Sequence, residues 1–276
     1  MRKAVFFDID GTLWDFTNRI PESTVTAIRG LRAQGHLAFL CSGRARAYIQ
    51  SPALFDIGFD GVLAGCGTYV EVGGEIIYER LIEKELAVRT VETVRRYGFR
   101  PILEGPEYLY MDAEDFAHEP YGKKVMRELG GHLVGIREHY GEWRINKLSC
   151  ATDHADREGC FAALADEYTY LIHNENVAEL VPKGHSKATG IARACEYLGV
   201  DRADTFAVGD SVNDLEMLSY AGIGIAMGNA SPEVKEAAGF VTDALYDDGI
   251  YHAMQHFGLL GEGSYALYEG RHNGKE

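Results

Sequence analysis

Two short apolar runs, one near each end of the chain, stop at aspartates, and this pattern constrains the fold more than any other feature. Asp8 and Asp10 follow the run Ala4–Phe7, and Asp210 follows the run Thr205–Val208. Four-residue apolar runs of this kind are typical of parallel strands that are buried on both faces. Ligands of open α/β sheets bind beyond the carboxyl ends of the strands. If the two strands are neighbours, these distant aspartates therefore meet at one edge of the sheet.

The N-terminal part of the chain alternates strand and helix patterns, as an open α/β sheet requires. Apolar residues at helical spacing follow Pro21, and a glycine stops them before the next apolar run. Strands are predicted over His36–Cys41 and Gly61–Ala64, and a hairpin over Tyr69–Tyr78 with its turn at two consecutive glycines.

The regular alternation of strand and helix patterns stops in the middle of the chain. Helical segments at Glu83–Tyr97 and Asp153–Glu167 are mixed there with short strands, and the α/β pattern resumes with a helix over Lys187–Leu198. The sequence therefore predicts an α+β unit inserted into an α/β core. The predicted core comprises residues 1–81 and 180–276, with a loose glycine-rich tail from 261, and the inserted unit comprises residues 82–179.

Charge and composition restrict the partners. The net charge of −15 argues against nucleic acid or an anionic membrane, although a local cation still permits a small phosphorylated metabolite. The first apolar run is too short for a signal peptide, and no stretch of about 18 apolar residues predicts a membrane span. The five cysteines are widely spaced without a CxxC pair, which favours a reduced, cytoplasmic protein. We expect a monomer or homodimer.

The aspartates predict a metal site. Either motif alone could be a turn or a helix cap, because Asp and Gly serve turns well. Together, each after an apolar strand, they predict carboxylates in close proximity, which repel unless a cation joins them. Hard oxygen ligands suit Mg²⁺, which takes one or two carboxylates together with water and phosphate.

Four short motifs resemble those of the haloacid dehalogenase-like phosphatases. They are Asp8-Ile9-Asp10-Gly11-Thr12, Ser42-Gly43-Arg44, Lys187 and Gly209-Asp210-Ser211-Val212-Asn213-Asp214. The run Ala226-Met227-Gly228-Asn229-Ala230 resembles the Cof-type branch, which carries a large α/β cap between its second and third motifs. The resemblance implies a Rossmann-like parallel-sheet core with an inserted α+β cap, and an Mg²⁺-dependent phosphatase.

The resemblance also implies catalytic roles. Asp8 would be the nucleophile that forms an aspartyl-phosphate, and Asp10 would protonate the leaving oxygen and later activate water. Lys187 would offset the charge on Asp8 and the phosphoryl group, and its motif position favours it over the neighbouring Lys183.

Binding roles follow from the same resemblance. Phosphate would be bound by Ser42, Gly43, Arg44 and Asn213. Metal would be bound by Asp210, by the side chain of Asp8 and by the backbone carbonyl of Asp10, with Asp214 supporting the site.

One position departs from the Cof-type pattern, and two functional alternatives remain open. Cys66 stands where an Asn usually follows the third strand, and a thiol is a poor substitute in hydrogen bonding. The same scaffold could serve a phosphotransferase or sugar phosphomutase, or a non-enzymatic phosphate-sensing regulator. A sugar phosphate, a nucleotide and a cofactor phosphate all remain candidate substrates, since specificity lies in the cap.

Overall fold

Two β-sheets organise the chain, which a computed structural model describes over residues 2–116 and 120–261. The N-terminal segment alternates strands and helices and ends in a hairpin. Its elements are β1 (Ala4–Phe7), α1 (Glu22–Ala33), β2 (Leu37–Cys41), α2 (Pro52–Phe55), β3 (Gly61–Ala64), β4 (Tyr69–Val72) and β5 (Glu75–Glu79). The predicted hairpin is confirmed, since β4 and β5 pair antiparallel around Gly73 and Gly74.

The middle segment mixes helices with a second set of strands. Its elements are α3 (Lys84–Arg96), β6 (Arg100–Glu104), β7 (Leu109–Tyr110), α4 (Pro120–Leu129), β8 (Leu133–Val134), β9 (Lys147–Ala151), α5 (Arg157–Ala163), β10 (Tyr168–Asn174) and β11 (Val177–Pro182). The helix predicted over Asp153–Glu167 is wrong in its bounds, because α5 is shorter. Asp156 begins it by accepting a hydrogen bond from the backbone N–H of Gly159.

The C-terminal segment returns to the α/β alternation. Its elements are α6 (Lys187–Leu198), β12 (Thr205–Gly209), α7 (Leu215–Tyr220), β13 (Ile223–Ala226), α8 (Pro232–Ala237), β14 (Phe240–Val241) and α9 (Gly249–His256). Short 3₁₀ turns occupy residues 46–48, 113–116, 130–132, 202–204 and 212–214. Residues 262–276, most of the predicted loose tail, lie outside the described residues.

The first sheet has eight strands in the order β14-β13-β12-β1-β2-β3-β4-β5. It is parallel from β14 to β3, and only the hairpin strands run antiparallel. β1 lies between β12 and β2, with Phe7 in register with Val208. The carboxyl ends of β1 and β12 are therefore neighbours, as the sequence pattern predicts, and the chain is an α/β protein with a parallel-sheet core.

Alternation along β1 buries both faces of this sheet. Val5 and Phe7 pack in one hydrophobic cluster with residues of α1 and α9, and Ala4 and Phe6 pack in a second cluster with residues of α6 and α7. Every residue of β1 is fully buried, which explains why its sequence is apolar without interruption.

The second sheet has six strands in the order β10-β11-β9-β6-β7-β8. It is antiparallel except for the pairing of β7 with β8. One face packs against α3 and α5, and the other face packs against α4 and against Ala47 and Tyr48 of the first segment. β11 continues to Pro182, so the domain boundary predicted between residues 179 and 180 falls inside this strand.

The helices of residues 2–116 and 120–261 are all too short or too polar to span a lipid bilayer.

Candidate active site

Asp8 lies at the carboxyl end of β1 and contacts a buried lysine. Lys187 Nζ is 2.5 Å from Asp8 Oδ1 and 2.5 Å from Asp214 Oδ1, and all three residues are buried. Lys187 is the first residue of α6, where the Ser186 side chain accepts a hydrogen bond from the backbone of Thr189 and fixes the helix start. Lys183, the rival position, is exposed.

Asp214 lies in the turn after β12 and is held by the backbone as well. Its Oδ2 accepts hydrogen bonds from the N–H groups of Asp210 and Ser211, each at 3.0 Å. Because Oδ1 accepts a hydrogen bond from Lys187, both carboxylate oxygens of Asp214 have partners. Asp214 is therefore placed to orient its neighbours.

Asp210 faces the loop that follows β1. Thr12 donates its hydroxyl to Asp210 Oδ1 at 2.8 Å. Gly11 has φ +86°, and a Cβ at that position would lie 2.2 Å from Asp210 Oδ2. Gly11 therefore allows both the left-handed backbone and the close approach of the two motifs.

The carboxylates of Asp8, Asp210 and Asp214 form one cluster, with an oxygen from each within 4.8 Å of the others. Burial and the charge of Asp214 raise the pKa of Asp210 to about 7. Burial and Asp214 also raise the pKa of Asp8 well above its ordinary value, although Lys187 opposes that shift. The cluster therefore carries more negative charge than its single lysine offsets.

This donor set fits a divalent cation. Three carboxylates converge from two neighbouring strand ends, and Lys187 supplies one positive charge against them. Hard oxygen donors suit Mg²⁺, and a bound cation would relieve the repulsion that raises the pKa of Asp210. Asp8 and Asp210 have oxygens placed for direct contact, whereas Asp214 is already engaged by Lys187 and by the backbone.

Asp10 lies apart from this carboxylate cluster. Its side chain is held by Arg44, which donates from Nε and Nη2 at 2.7 Å each, and by Trp14 Nε1 at 3.0 Å. Burial alone would raise the pKa of Asp10, but the charge and hydrogen bonds of Arg44 lower it below its ordinary value. Only the backbone carbonyl of Asp10 thus remains for the predicted metal contact.

Arg44 is itself fixed between aromatic rings. Its guanidinium lies 4.4 Å from the ring centre of Tyr48 and 5.4 Å from that of Trp14, and Nη1 lies 3.5 Å from Glu128 of α4. The sequence predicts that Arg44 binds phosphate, but in this structure its Nε and Nη2 groups donate to the Asp10 carboxylate.

The other predicted phosphate-binding residues gather at the end of β2. Ser42 is buried, and its hydroxyl accepts a hydrogen bond from the backbone N–H of Arg44 at 3.1 Å. A Cβ on Gly43 would lie 3.5 Å from Asn213 Nδ2, so Asn213 adjoins this loop. The fold therefore brings every residue of the four motifs to one sheet edge, while their roles stay predictions.

Cys66 occupies a backbone position that explains the usual asparagine. Its φ is +54°, a left-handed conformation that Asn adopts more readily than most residues. The thiol is buried and lies 3.9 Å from Glu179 Oε2, and burial raises its pKa to about 12. Cys66 therefore presents a neutral thiol at this point.

The sequence patterns missed a charged cluster next to the site. Lys147 of β9 is fully buried, and its Nζ donates to the Gly43 carbonyl at 2.9 Å and lies 2.5 Å from Glu179 Oε2 and 3.5 Å from Glu104 Oε1. The one available signal was a lysine next to apolar residues, at the start of the strand that continues with Leu148.

Comparison with known proteins supports the resemblance. The family model of haloacid dehalogenase-like hydrolases matches residues 5–254. The candidate phosphatase YkrA of Bacillus subtilis is 34% identical over 264 residues, covering 94% of this chain and 98% of YkrA. The B. subtilis 5-amino-6-(5-phospho-D-ribitylamino)uracil phosphatase YitU is 27% identical over 270 residues, covering 92% of this chain and 96% of YitU.

A solved structure shows the same architecture. The subclass IIB sugar phosphatase BT4131 superposes with a TM-score of 0.79 at 29% identity, and the match covers 94% of this chain and all of BT4131. YitU and BT4131 are named for different classes of substrate, so similarity alone leaves the substrate of this chain open.

Proposed function

The chain belongs to the haloacid dehalogenase-like hydrolases and is a phosphatase of that family, and on this premise we propose that it hydrolyses a small phosphomonoester through an aspartyl-phosphate on Asp8, with Mg²⁺ as cofactor. The observation that carries the proposal is the placement of Asp8, buried at a strand end with Lys187 at 2.5 Å. Lys187 opposes the rise in the pKa of Asp8 that burial and Asp214 cause, and the ionised carboxylate is the form that attacks phosphorus.

In the first step, an oxygen of Asp8 attacks the phosphorus atom and the bond from phosphorus to the leaving oxygen breaks. Lys187 offsets the negative charge shared between Asp8 and the transferring phosphoryl group, and Ser42 and Asn213 donate hydrogen bonds to its oxygens. When bound, Mg²⁺ supplies further positive charge at the phosphoryl oxygens and orients them for in-line attack.

Asp10 handles the protons in both steps. In its protonated form it gives a proton to the leaving oxygen, and as a carboxylate it takes a proton from the water that then hydrolyses the aspartyl-phosphate. Arg44 lowers the pKa of Asp10, which keeps the side chain in the carboxylate form that the base role requires. The acid role requires Arg44 to release Asp10, and Glu128, whose Oε2 lies 3.5 Å from Arg44 Nη1, is a second carboxylate in contact with this guanidinium.

The proposal is tested by release of phosphate from a panel of phosphomonoesters, with Mg²⁺ and with excess chelator, and without an added acceptor alcohol. We expect turnover that depends on Mg²⁺ and that Asp8→Asn abolishes while leaving the fold intact. Turnover at the wild-type rate by Asp8→Asn would remove the covalent step, and full activity in chelator would remove the metal. Phosphate transfer only when an acceptor sugar is added would favour a phosphotransferase.

A further inference from the structure

Two cavities border Asp10, and they differ in character. One, of about 220 Å³, lies between Asp10 and the second sheet, and its lining includes Arg44, Glu104, Tyr121, Lys124, His173 and Glu179. The other, of about 510 Å³, is mostly apolar and is lined by Phe16. Because Asp10 is the proposed proton donor, we expect the leaving group in a cavity that borders it.

Polar side chains on strands of the second sheet form one wall of the smaller cavity. Glu104 and Lys147 are directly paired on β6 and β9, and Glu179 lies on β11 beside them, so all three project from one face of the second sheet. Lys147 is fully buried and holds Glu179 at 2.5 Å, while His173 Nε2 lies 3.1 Å from the other carboxylate oxygen.

Glu179 keeps capacity to accept another hydrogen bond. Its side chain is 11% exposed at the cavity, and each carboxylate oxygen has two lone-pair sites. Although burial alone would raise the pKa of Glu179, the charge of Lys147 and the hydrogen bond with His173 lower it to about 2. The residue is therefore an ionised acceptor at neutral pH.

We propose that Glu179, held by Lys147 and His173, is a specificity-determining residue that accepts a hydrogen bond from a hydroxyl or ammonium group of the leaving group. This inference rests on the proposed phosphatase function. A cavity below the roughly 300 Å³ at which drug-sized sites begin suits a compact leaving group. The buried, charged acceptor selects for a donor, because an apolar leaving group would displace water from the remaining acceptor site of the carboxylate without replacing its hydrogen bond.

Lys147 gives this arrangement a second consequence. The same ammonium group that fixes Glu179 also donates to the carbonyl of Gly43, in the loop that carries Ser42 and Arg44. The leaving-group side and the phosphate side of the site therefore share one rigid support, and Lys147 is a positioning residue for both.

The test uses three alkyl phosphates with the same reacting group. Propyl phosphate offers no donor, glycerol 1-phosphate offers hydroxyls, and 3-aminopropyl phosphate offers an ammonium. We expect kcat/KM for at least one donor-bearing substrate to exceed that for propyl phosphate by about 10-fold or more. Glu179→Gln should reduce this ratio to within about three-fold of unity.

Two further variants separate specificity from structure. His173→Ala changes a residue on the partly open side of the cavity and should lower the same ratio even if Glu179→Gln folds poorly. Phe16→Ala changes a side chain that is 91% exposed at the apolar cavity and should leave the ratio unchanged. A general structural defect would lower kcat/KM for all three substrates together and leave their ratio as it was.

This inference is overturned if the wild-type protein shows equal kcat/KM for the three substrates. It is also overturned if Glu179→Gln and His173→Ala both leave the ratio intact. Either result leaves the phosphatase function standing. Loss of the ratio in Phe16→Ala alone would place the leaving group in the apolar cavity instead. Failure to release phosphate from any substrate, p-nitrophenyl phosphate included, overturns the proposed function and this inference with it.

Discussion

Replacing Lys187 by Met should destabilise the metal-free protein strongly. Lys187 Nζ lies 2.5 Å from Asp8 Oδ1 and from Asp214 Oδ1, and the lysine is 2% exposed. Met fills most of the space of the lysine methylenes, so the change removes the charge with little cavity. Two buried carboxylates then lose their common cation.

The size of the effect follows from that burial. Removing one partner of a buried ion pair costs about 3–5 kcal/mol, because the remaining charge is left uncompensated. One kcal/mol shifts Tm by about 2–4 °C in domains of 150–250 residues, so the expected fall in Tm is about 6–20 °C. The loss of stability caused by Lys187→Met should be smaller at pH 5 than at pH 8. At the lower pH, protonation of Asp8 removes the charge that the variant leaves unpaired in the folded state.

The assay is thermal unfolding in excess chelator, followed by circular dichroism, for the wild-type protein, Lys187→Met and Lys183→Met. Lys183 is exposed and four residues away, so its replacement should change stability by less than about 0.5 kcal/mol. Added Mg²⁺ should recover part of the loss in Lys187→Met, because a cation that binds the folded state stabilises it by mass action. Equal Tm values for the wild-type protein and Lys187→Met, or equal losses in the two variants, would refute the reasoning.

Three further predictions concern the aspartates. In excess chelator, the stability of the wild-type protein should fall more steeply than that of Asp210→Asn as the pH rises from about 4 to about 7. The raised pKa of Asp210, about 7, lets the folded state keep a proton that the unfolded chain has lost. Parallel plots of unfolding free energy against pH for the two proteins would contradict this. Asp10→Asn should lower the single-turnover rate by about 10²–10⁴ for an alkyl phosphate and by less for p-nitrophenyl phosphate, whose leaving group needs no proton; equal losses would remove Asp10 from the acid role. Gly11→Ala should lower kcat/KM by about 10²-fold, because a Cβ would collide with Asp210 Oδ2 at 2.2 Å, and a wild-type value would show that the loop can relax.

Local patterns in the sequence were enough to predict the parallel core and the sheet edge at which the aspartates meet. A strand buried on both faces must be apolar throughout, so β1 and β12 could be recognised, and the aspartates at their ends had to meet once the strands were neighbours. The helix Lys187–Leu198 was predicted with the bounds that α6 has in the structure. Its start was readable because Ser186 is a favourable helix cap.

Elements without such patterns were predicted less well. The helix expected over Asp153–Glu167 proved shorter, since only the cap at Asp156 and packing against the second sheet determine where α5 lies. The boundary expected between residues 179 and 180 lies inside β11, because the chain passes from this strand towards α6 without a break in composition.

The partners of the charged side chains were decided by the tertiary structure alone. Nothing in the spacing of Asp10 and Arg44 shows that they pair, and the ion pairs of Lys147 join strands that are distant in the sequence. An apolar strand and a helix cap are read from neighbouring residues, because the physical preference is local. A buried ion pair depends on which surfaces the fold brings together and on how much water it excludes, and both are properties of the assembled chain.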